Sequence, residues 1–197
     1  MNFLAHLLLA ENSDASRIGN LLGDFARGSI DELAKTYPPE LVRGIRMHRA
    51  VDSYTDSHQI FKRARNLLAA ERRRFAGIIV DIFFDHYLSC HWLDYCDQPL
   101  DRFIREVYHT IDAHPEWRTE RFARIYPSMK QENWLMAYSS LEGIALTLKR
   151  VSTRSHRVTK IAEGTQDLHE NYQEFERCFR DFMPDLQTYV EHWKKHH

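Results

Sequence analysis

The feature that most constrains this chain is a long apolar segment, residues 75–88, that carries two carboxylates and a histidine. Apolar residues lie on every side of its helical projection, which indicates a central helix with little solvent contact. Asp81 and Asp85 are four residues apart and therefore share one helix face, with His86 beside them. Because a buried ionised carboxylate is costly unless a partner or a metal compensates it, the segment indicates either a functional site or a buried ion-pair network.

Helical periodicity extends over nearly all of the 197 residues. Pro39 and Pro99 suit the first turns of helices, whereas Pro127 and Pro184 predict breaks or kinks. No alternating strand pattern, hairpin signal or linker is present. The sequence therefore predicts an all-α fold, a single-domain multi-helix bundle over residues 1–197. We predict helices over residues 3–8, 18–27, 40–53, 60–68, 72–95, 99–114, 134–138, 141–151, 158–162 and 167–193.

The composition is that of an ordinary globular protein, with 43% hydrophobic and 28% charged residues and a net charge of −1. Cys90, Cys96 and Cys178 lack CxxC spacing, so they predict neither a disulfide framework nor a structural zinc site, and a reducing cytoplasm is the expected location. The apolar start lacks a basic leader, and no apolar run is long enough to span a bilayer. Gly-rich phosphate loops and nucleophile elbows are absent, and neither nucleic acid nor a membrane is a predicted partner.

Further polar side chains lie in apolar surroundings in the first half of the chain. His6 is surrounded by leucines, and Asp24 follows an apolar run. His48 and Asp52 have the four-residue spacing that puts two side chains on one helix face. Taken singly, a buried histidine is more often a hydrogen-bonded core residue, and an aspartate is often a cap or an ion-pair partner. Taken together, these nitrogens and oxygens suit manganese, iron, magnesium or zinc, which predicts metal-assisted phosphoester hydrolysis.

Basic residues are concentrated near this set. Segment 62–74 contains six Lys and Arg residues against the single acid Glu71, and Arg43, Arg46 and Arg49 flank His48. Such an excess attracts an acidic partner, whether nucleic acid, a phosphorylated ligand or an acidic protein. A solvated helix face would show the same charge run, so both interpretations stay open.

The order and spacing of several blocks closely resemble those of the bacterial acyl carrier protein phosphodiesterases. The blocks are MNFLAH at residues 1–6, GNLLGDFARG at 19–28, MHR at 47–49 followed by Asp52 and Asp56, and DIFFDHYLSCHW at 81–92. The resemblance covers nearly the whole chain and is weaker after about Asp97. It implies a divergent HD-domain-like fold. It also implies removal of 4′-phosphopantetheine from the serine of holo acyl carrier protein, to give the apo form.

The resemblance further implies a divalent metal, with manganese favoured over magnesium, iron or zinc. By its place in the blocks, Asp24 is implied to be critical for activity. We predict catalytic roles for Asp24, Asp81 and His48, and metal-ligand roles for His6, Asp24, Asp52, Asp85 and His86. Because acyl carrier proteins are strongly acidic, we expect arginines to bind the partner or the phosphate. The expected residues are Arg27, Arg43, Arg46, Arg49, Arg63 and Arg72.

Two other functions fit the sequence. An HD-like hydrolase of a nucleotide or another small phosphoester would act without a carrier protein. A non-enzymatic helical binding module would keep its function when metal is removed. The aromatic residues of the second half, including Trp117, Trp134 and Tyr138, are predicted to belong to the core rather than to a pantetheine groove.

Overall fold

The protein is described by a computed structural model that covers residues 1–153 and 156–197. These residues contain helices and no strand, which confirms the predicted all-α bundle, whereas the HD-like architecture stays a prediction. The helices are α1 (Phe3–Leu9), α2 (Asp14–Leu22), α3 (Ile30–Leu33), α4 (Pro39–Ser57), α5 (Gln59–Asn66), α6 (Ala76–Cys90), α7 (Leu100–Ala113), α8 (Glu120–Gln131), α9 (Trp134–Ala137), α10 (Leu141–Ser152), α11 (Gly164–Glu170) and α12 (Tyr172–His196). Short 3₁₀ segments cover Ala70–Phe75, Trp92–Asp94, Pro115–Trp117 and His156–Glu163.

Helix α6 lies at the centre of the bundle, as its apolar character predicts. Ile79, Phe83 and Leu88 are fully buried, and the helix packs against α1, α5, α10 and α12. The predicted helix over residues 72–95 is divided into α6 and two flanking 3₁₀ segments. This central position gives α6 contact with both halves of the chain.

Helices α2 and α4 pack unusually closely because each has a glycine at the crossing. A Cβ atom on Gly19 would lie 2.2 Å from the Leu41 carbonyl oxygen, and one on Gly44 would lie 2.7 Å from the Ser16 carbonyl oxygen. Any larger residue at either position would push the two backbones apart. The crossing brings the end of α2 beside the middle of α4, where the candidate site forms.

The two prolines that predict breaks or kinks lie inside continuous helices. Pro127 lies inside α8, a helix that periodicity alone missed, and Pro184 lies inside α12. Both prolines are exposed. The carbonyl groups that lose a helical hydrogen bond at each proline therefore lie on the solvent side, which lowers the cost of continuing the helix. No helix in the described part of the chain is both long enough and apolar enough to cross a membrane.

Candidate active site

Two histidines and two aspartates meet where α1, α2 and α4 converge. Asp52 accepts hydrogen bonds at both of its oxygens: His6 Nε2 lies 3.0 Å from Oδ1, and His48 Nε2 lies 3.1 Å from Oδ2. Asp24, in the turn after α2, has its Oδ1 3.7 Å from His48 Nε2. The two imidazole rings stack with centroids 3.7 Å apart. We call these four residues the histidine–aspartate cluster.

The orientation of His48 is fixed by its neighbours on α2. Its Nδ1 donates a hydrogen bond to the Asn20 carbonyl oxygen at 2.7 Å, which directs Nε2 towards Asp24 and Asp52. A Cβ atom on Gly23 would lie 2.1 Å from His48 Cγ, so only glycine leaves room for the ring. The sequence around Asp24 therefore shapes the cluster through backbone contacts as well as through its own carboxylate.

The cluster has strongly perturbed acid–base properties. Burial by itself lowers the pKa of His48, but hydrogen bonds with Asp24 and Asp52 raise it to about 9. Burial and the adjacent His48 lower the pKa of His6 to about 4, despite its hydrogen bond with Asp52. Burial raises the pKa of Asp52, but hydrogen bonds with both histidines hold it far below its usual range. The carboxylates are thus ionised and paired with a positive charge on His48.

The donor set fits a divalent cation. Ring nitrogens of His6 and His48 and a carboxylate oxygen of Asp52 lie within 4.8 Å of one another. The Nδ1–H group of His48 donates a hydrogen bond to a backbone carbonyl oxygen, which is the arrangement common among metal-bound histidines. Its Nε2 faces two carboxylates, so a cation or a proton must lie between this nitrogen and the carboxylate oxygens. His6 would ligate through Nε2 only with its proton on Nδ1, which is buried and has no partner among the described residues.

Asp81 is linked to the cluster through the α-amino group of Met1. That nitrogen lies 2.7 Å from Asp81 Oδ1 and 3.6 Å from Asp52 Oδ1. Burial lowers the pKa of the amino group, but the two carboxylates raise it to about 10. Burial also raises the pKa of Asp81, against the effect of the amino group. The structure therefore brings Asp81 close to Asp52, as its predicted role requires.

Asp85 does not join the cluster, and its prediction as a metal ligand is wrong. Its two oxygens accept hydrogen bonds from the backbone N–H groups of Leu4, at 2.7 Å, and Ala5, at 3.3 Å. These groups belong to the first turn of α1, where helical N–H groups have no partner within the helix. Asp85 is fully buried and its oxygens are already engaged. It therefore fixes α1, and through α1 the position of His6.

His86 is also separate from the cluster. Its Nδ1 lies 2.7 Å from the Tyr138 carbonyl oxygen and its Nε2 lies 2.9 Å from the Tyr172 hydroxyl oxygen. Successive helical residues are about 100° apart, so the residue after Asp85 faces another neighbour. Both ring nitrogens of His86 have hydrogen-bond partners from the second half of the chain, which corrects the prediction that it binds metal.

Arg72 cannot contact a partner protein in this structure. Its side chain is buried, with the residue only 3% exposed, and its Nε lies 2.5 Å from Asp167 Oδ2. This ion pair joins the segment before α6 to α11. Arg43 is also engaged, since its guanidinium group binds both oxygens of Glu11 at 2.8 Å and a carbonyl oxygen of α12. The prediction for Arg72 is therefore wrong, and Arg43 contributes to internal packing.

The other four predicted arginines lie nearer to solvent. Arg63 is exposed and pairs with Asp181 at 3.0 Å. Arg49 is partly buried and donates a hydrogen bond to the Ala26 carbonyl oxygen. Arg27 and Arg46 are exposed and have no carboxylate partner in the described part of the chain. Of the predicted set, Arg27 and Arg46 are thus the best placed to meet an acidic surface.

A pocket of about 250 Å³ opens beside the cluster, and we call it the active-site pocket. Asp24, Asp52 and Asp81 line its acidic side. The rest of its wall includes side chains from the second half of the chain: Arg121, Trp134, Tyr138, Thr147, Arg150 and Val151. Sequence reasoning missed Arg121 and Arg150, because they belong to no recognisable motif.

The aromatic residues of the second half are only partly as predicted. Trp134 and Tyr138 are buried, as expected of core residues, yet both also line the active-site pocket. Trp117 is only partly buried and stacks on the ring of His114, with ring centroids 3.9 Å apart. A core position and a pocket wall are therefore compatible for Trp134 and Tyr138.

Comparison with known proteins establishes the family. The family model described as acyl carrier protein phosphodiesterase matches residues 1–186. This chain belongs to that family. It is 40% identical over 187 residues to an acyl carrier protein phosphodiesterase from Pectobacterium atrosepticum, covering 94% of this chain and 95% of the relative. Proteins with the same description from Photorhabdus laumondii and Escherichia coli are 37% and 36% identical, with 96% and 98% of their lengths covered.

Membership of the acyl carrier protein phosphodiesterase family confirms the resemblance found in the sequence. The matched region includes the histidine–aspartate cluster and all the residues named in the active-site pocket. No solved structure matches the chain. The roles of individual residues therefore rest on the geometry of this chain.

Proposed function

We propose that this protein hydrolyses the phosphodiester bond of holo acyl carrier protein, releasing 4′-phosphopantetheine and the apo carrier. The observation that carries the proposal is the position of the histidine–aspartate cluster. It lies beside a pocket that also contains arginines, in a chain that belongs to the acyl carrier protein phosphodiesterase family. Carboxylates and imidazoles beside a cationic wall suit the hydrolysis of an anionic phosphoester.

The same cluster is proposed to hold a divalent metal, with manganese favoured. His48, Asp24 and Asp52 would hold it, together with His6 in its Nδ1-protonated form. When bound, such a cation supplies charge stabilisation at a phosphoryl oxygen. The hydrogen bond from His48 Nδ1 to the Asn20 carbonyl oxygen fixes the ring, so that Nε2 stays directed towards Asp24 and Asp52.

Asp24 is the proposed residue that orients the attacking water. Its side chain is 53% exposed at the pocket. Burial raises the pKa of Asp24, but His48 lowers it more, so the carboxylate is ionised and can accept a proton. The water oxygen forms a bond to phosphorus as Asp24 accepts one of its protons, the bond from phosphorus to the serine oxygen breaks, and that proton passes from Asp24 to the serine oxygen. Asp81 contributes by holding the Met1 amino group beside Asp52.

We propose that the carrier protein binds through exposed basic residues that are close in sequence to residues of the site. Arg27 lies three residues after Asp24, and Arg46 lies on α4 two residues before His48. Both are exposed, as are Arg73 and Arg74 immediately before α6. An acidic protein would bring complementary charge to these residues, which raises the association rate and fixes the orientation of docking.

The test is the mass of the carrier protein after incubation with enzyme and manganese. We expect loss of the phosphopantetheine arm, and we expect both a chelator and the Asp24→Asn substitution to prevent it. Asp31→Asn is the matched control, because Asp31 is an exposed aspartate on α3 outside the active-site pocket. An intact holo carrier after incubation with folded, metal-loaded enzyme would reject the proposal. Turnover of small phosphodiesters instead would favour the small-phosphoester hydrolase.

A further inference from the structure

Two arginines of the active-site pocket have no role in the chemistry above. We propose that Arg121 binds the phosphate group of the substrate and that the Arg150–Trp134 wall binds its pantetheine arm. The pocket then recognises the arm itself, and the surface arginines recognise the carrier protein. This inference rests on the proposed function, since it concerns the substrate of the same site.

Arg121 is held beside Asp24 and keeps most of its hydrogen-bonding capacity. One of its terminal nitrogens donates to the Asp24 backbone carbonyl oxygen at 3.0 Å, and its guanidinium group lies 5.7 Å from the Phe25 ring centre. It has no carboxylate partner in the described ranges. A guanidinium group has five N–H donors in a plane that matches two phosphate oxygens. Arg121 can therefore bind a phosphate while still anchored next to Asp24.

Arg150 differs from Arg121 in having a carboxylate partner. One of its terminal nitrogens lies 2.7 Å from Glu132 Oε2, and its guanidinium group lies 4.2 Å from the Trp134 ring centre. The stack forms a surface that is polar at Arg150 and apolar at Trp134. Its charge is already compensated by Glu132, so it is less suited than Arg121 to bind an anion.

The chemistry of the pantetheine arm matches this second surface. Beyond its phosphate, the arm has a carbon with two methyl groups, followed by a hydroxyl group and two amides. Ile78 and Val151 add apolar surface to the pocket beside Trp134, and Arg150 offers N–H donors to amide oxygens. Ligand pockets commonly combine apolar side chains with a few placed polar groups, and the Arg150–Trp134 side of this pocket has that combination. The phosphate-binding and arm-binding residues thus occupy one continuous pocket.

The experiment measures binding of free 4′-phosphopantetheine and of inorganic phosphate by calorimetry, in one buffer with manganese. We expect Arg121→Ala to weaken the binding of both ligands by about tenfold or more, because a charge-assisted contact to phosphate is lost. We expect Arg150→Met to weaken the binding of 4′-phosphopantetheine by about tenfold and to leave phosphate binding unchanged.

Matched controls are available on the same helices. Arg124 lies one turn after Arg121 on α8, is exposed and pairs with Glu120, so Arg124→Ala should bind both ligands like the wild type. Lys149 precedes Arg150 on α10 and is exposed outside the pocket, so Lys149→Met should do the same. Melting temperatures of all variants verify that each is folded before its binding is compared.

The inference is overturned if the wild type does not bind 4′-phosphopantetheine, or if the Arg121 and Arg150 variants bind it as the wild type does. Cleavage of holo carrier protein, measured separately by mass, decides the proposed function. If the Arg121 and Arg150 variants both cleave holo carrier protein with an unchanged KM, the arm site is rejected and the proposed function stands. Arginine-dependent binding of 4′-phosphopantetheine without cleavage would leave the site and reject the function.

Discussion

Two aspartates in the interior of helices α4 and α6 have opposite kinds of partner. Asp52 faces two imidazole rings and the active-site pocket, with its side chain 40% exposed. Asp85 is fully buried and accepts hydrogen bonds from two backbone N–H groups of α1. The first carboxylate has ionisable neighbours and access to a ligand. The second has fixed backbone donors and no room for a ligand, so its role is to hold α1.

A helical position determines the direction of a side chain but not which groups that side chain contacts. Asp81 and Asp85 share one face of α6, yet Asp81 reaches the pocket and Asp85 lies under the first turn of α1. One helical turn is about 5.4 Å, which is enough to move a carboxylate from a cavity wall into the core. The role of each aspartate is therefore set by α1, a different element.

Substitution of Asp52 should mainly reduce turnover, whereas substitution of Asp85 should mainly reduce stability. We expect Asp52→Asn to lower kcat/KM for holo carrier protein by about 100-fold or more, because the proposed metal and both histidines lose their shared carboxylate. We expect Asp85→Asn to retain turnover at low temperature but to lose about 2 kcal/mol of unfolding free energy at pH 8, where the carboxylate is ionised, because a buried N–H group is left without an acceptor. Steady-state kinetics and urea unfolding measure the two effects.

Each variant serves as the control for the other in this experiment. If Asp85→Asn lost turnover as completely as Asp52→Asn while remaining folded, the separation between the two aspartates would be wrong. If Asp52→Asn kept full turnover, the cluster would not be the catalytic site.

A second, smaller effect concerns the pH dependence of stability. Burial raises the pKa of Asp85 to about 7, although the hydrogen bonds from Leu4 and Ala5 lower it. Between about pH 4 and pH 7 the folded protein thus keeps a proton that the unfolded chain has lost. The stability that this proton contributes is complete below about pH 4 and is lost as the pH rises through 7.

The measurement is the unfolding free energy of the wild type and of Asp85→Asn from pH 4 to pH 8. We expect the difference between the two proteins to shrink with rising pH, by up to about 1.4 kcal/mol per pH unit, because asparagine does not titrate. Other titrating groups are common to both proteins and cancel in the difference. Parallel curves would show that Asp85 has the same protonation in the folded and unfolded states.

Sequence reasoning located the part of the site that lies within helical repeats and motifs. His48 and Asp52 follow from a four-residue spacing, and Asp24 from its block. The contact of His6 with Asp52 depends on the packing of α1 against the rest of the bundle, which no spacing reveals. Arg121 and Arg150 reach the pocket from α8 and α10, about a hundred residues along the chain from the cluster, and their local sequences resemble ordinary solvated helices.

The errors in the fold have equally local causes. Periodicity does not predict α8 because Pro127 indicates a break, although the exposed position of this proline lets the helix continue. Arg72 was predicted to be a surface residue because it belongs to a basic run. Its burial depends on Asp167, which lies on another helix and has no sequence relationship to that run.

The smallest expected effect separates Arg46 from Arg43, two arginines of α4 that are three residues apart. Arg46 is exposed without a carboxylate partner in the described part of the chain, whereas Arg43 binds Glu11. We expect Arg46→Ala to raise KM for holo carrier protein about threefold at low ionic strength, and the effect to fade as salt screens exposed charges. Arg43→Ala should leave KM unchanged, because its charge is already paired. Equal effects of the two substitutions on KM would mean that net charge, rather than the position of free arginines, governs docking.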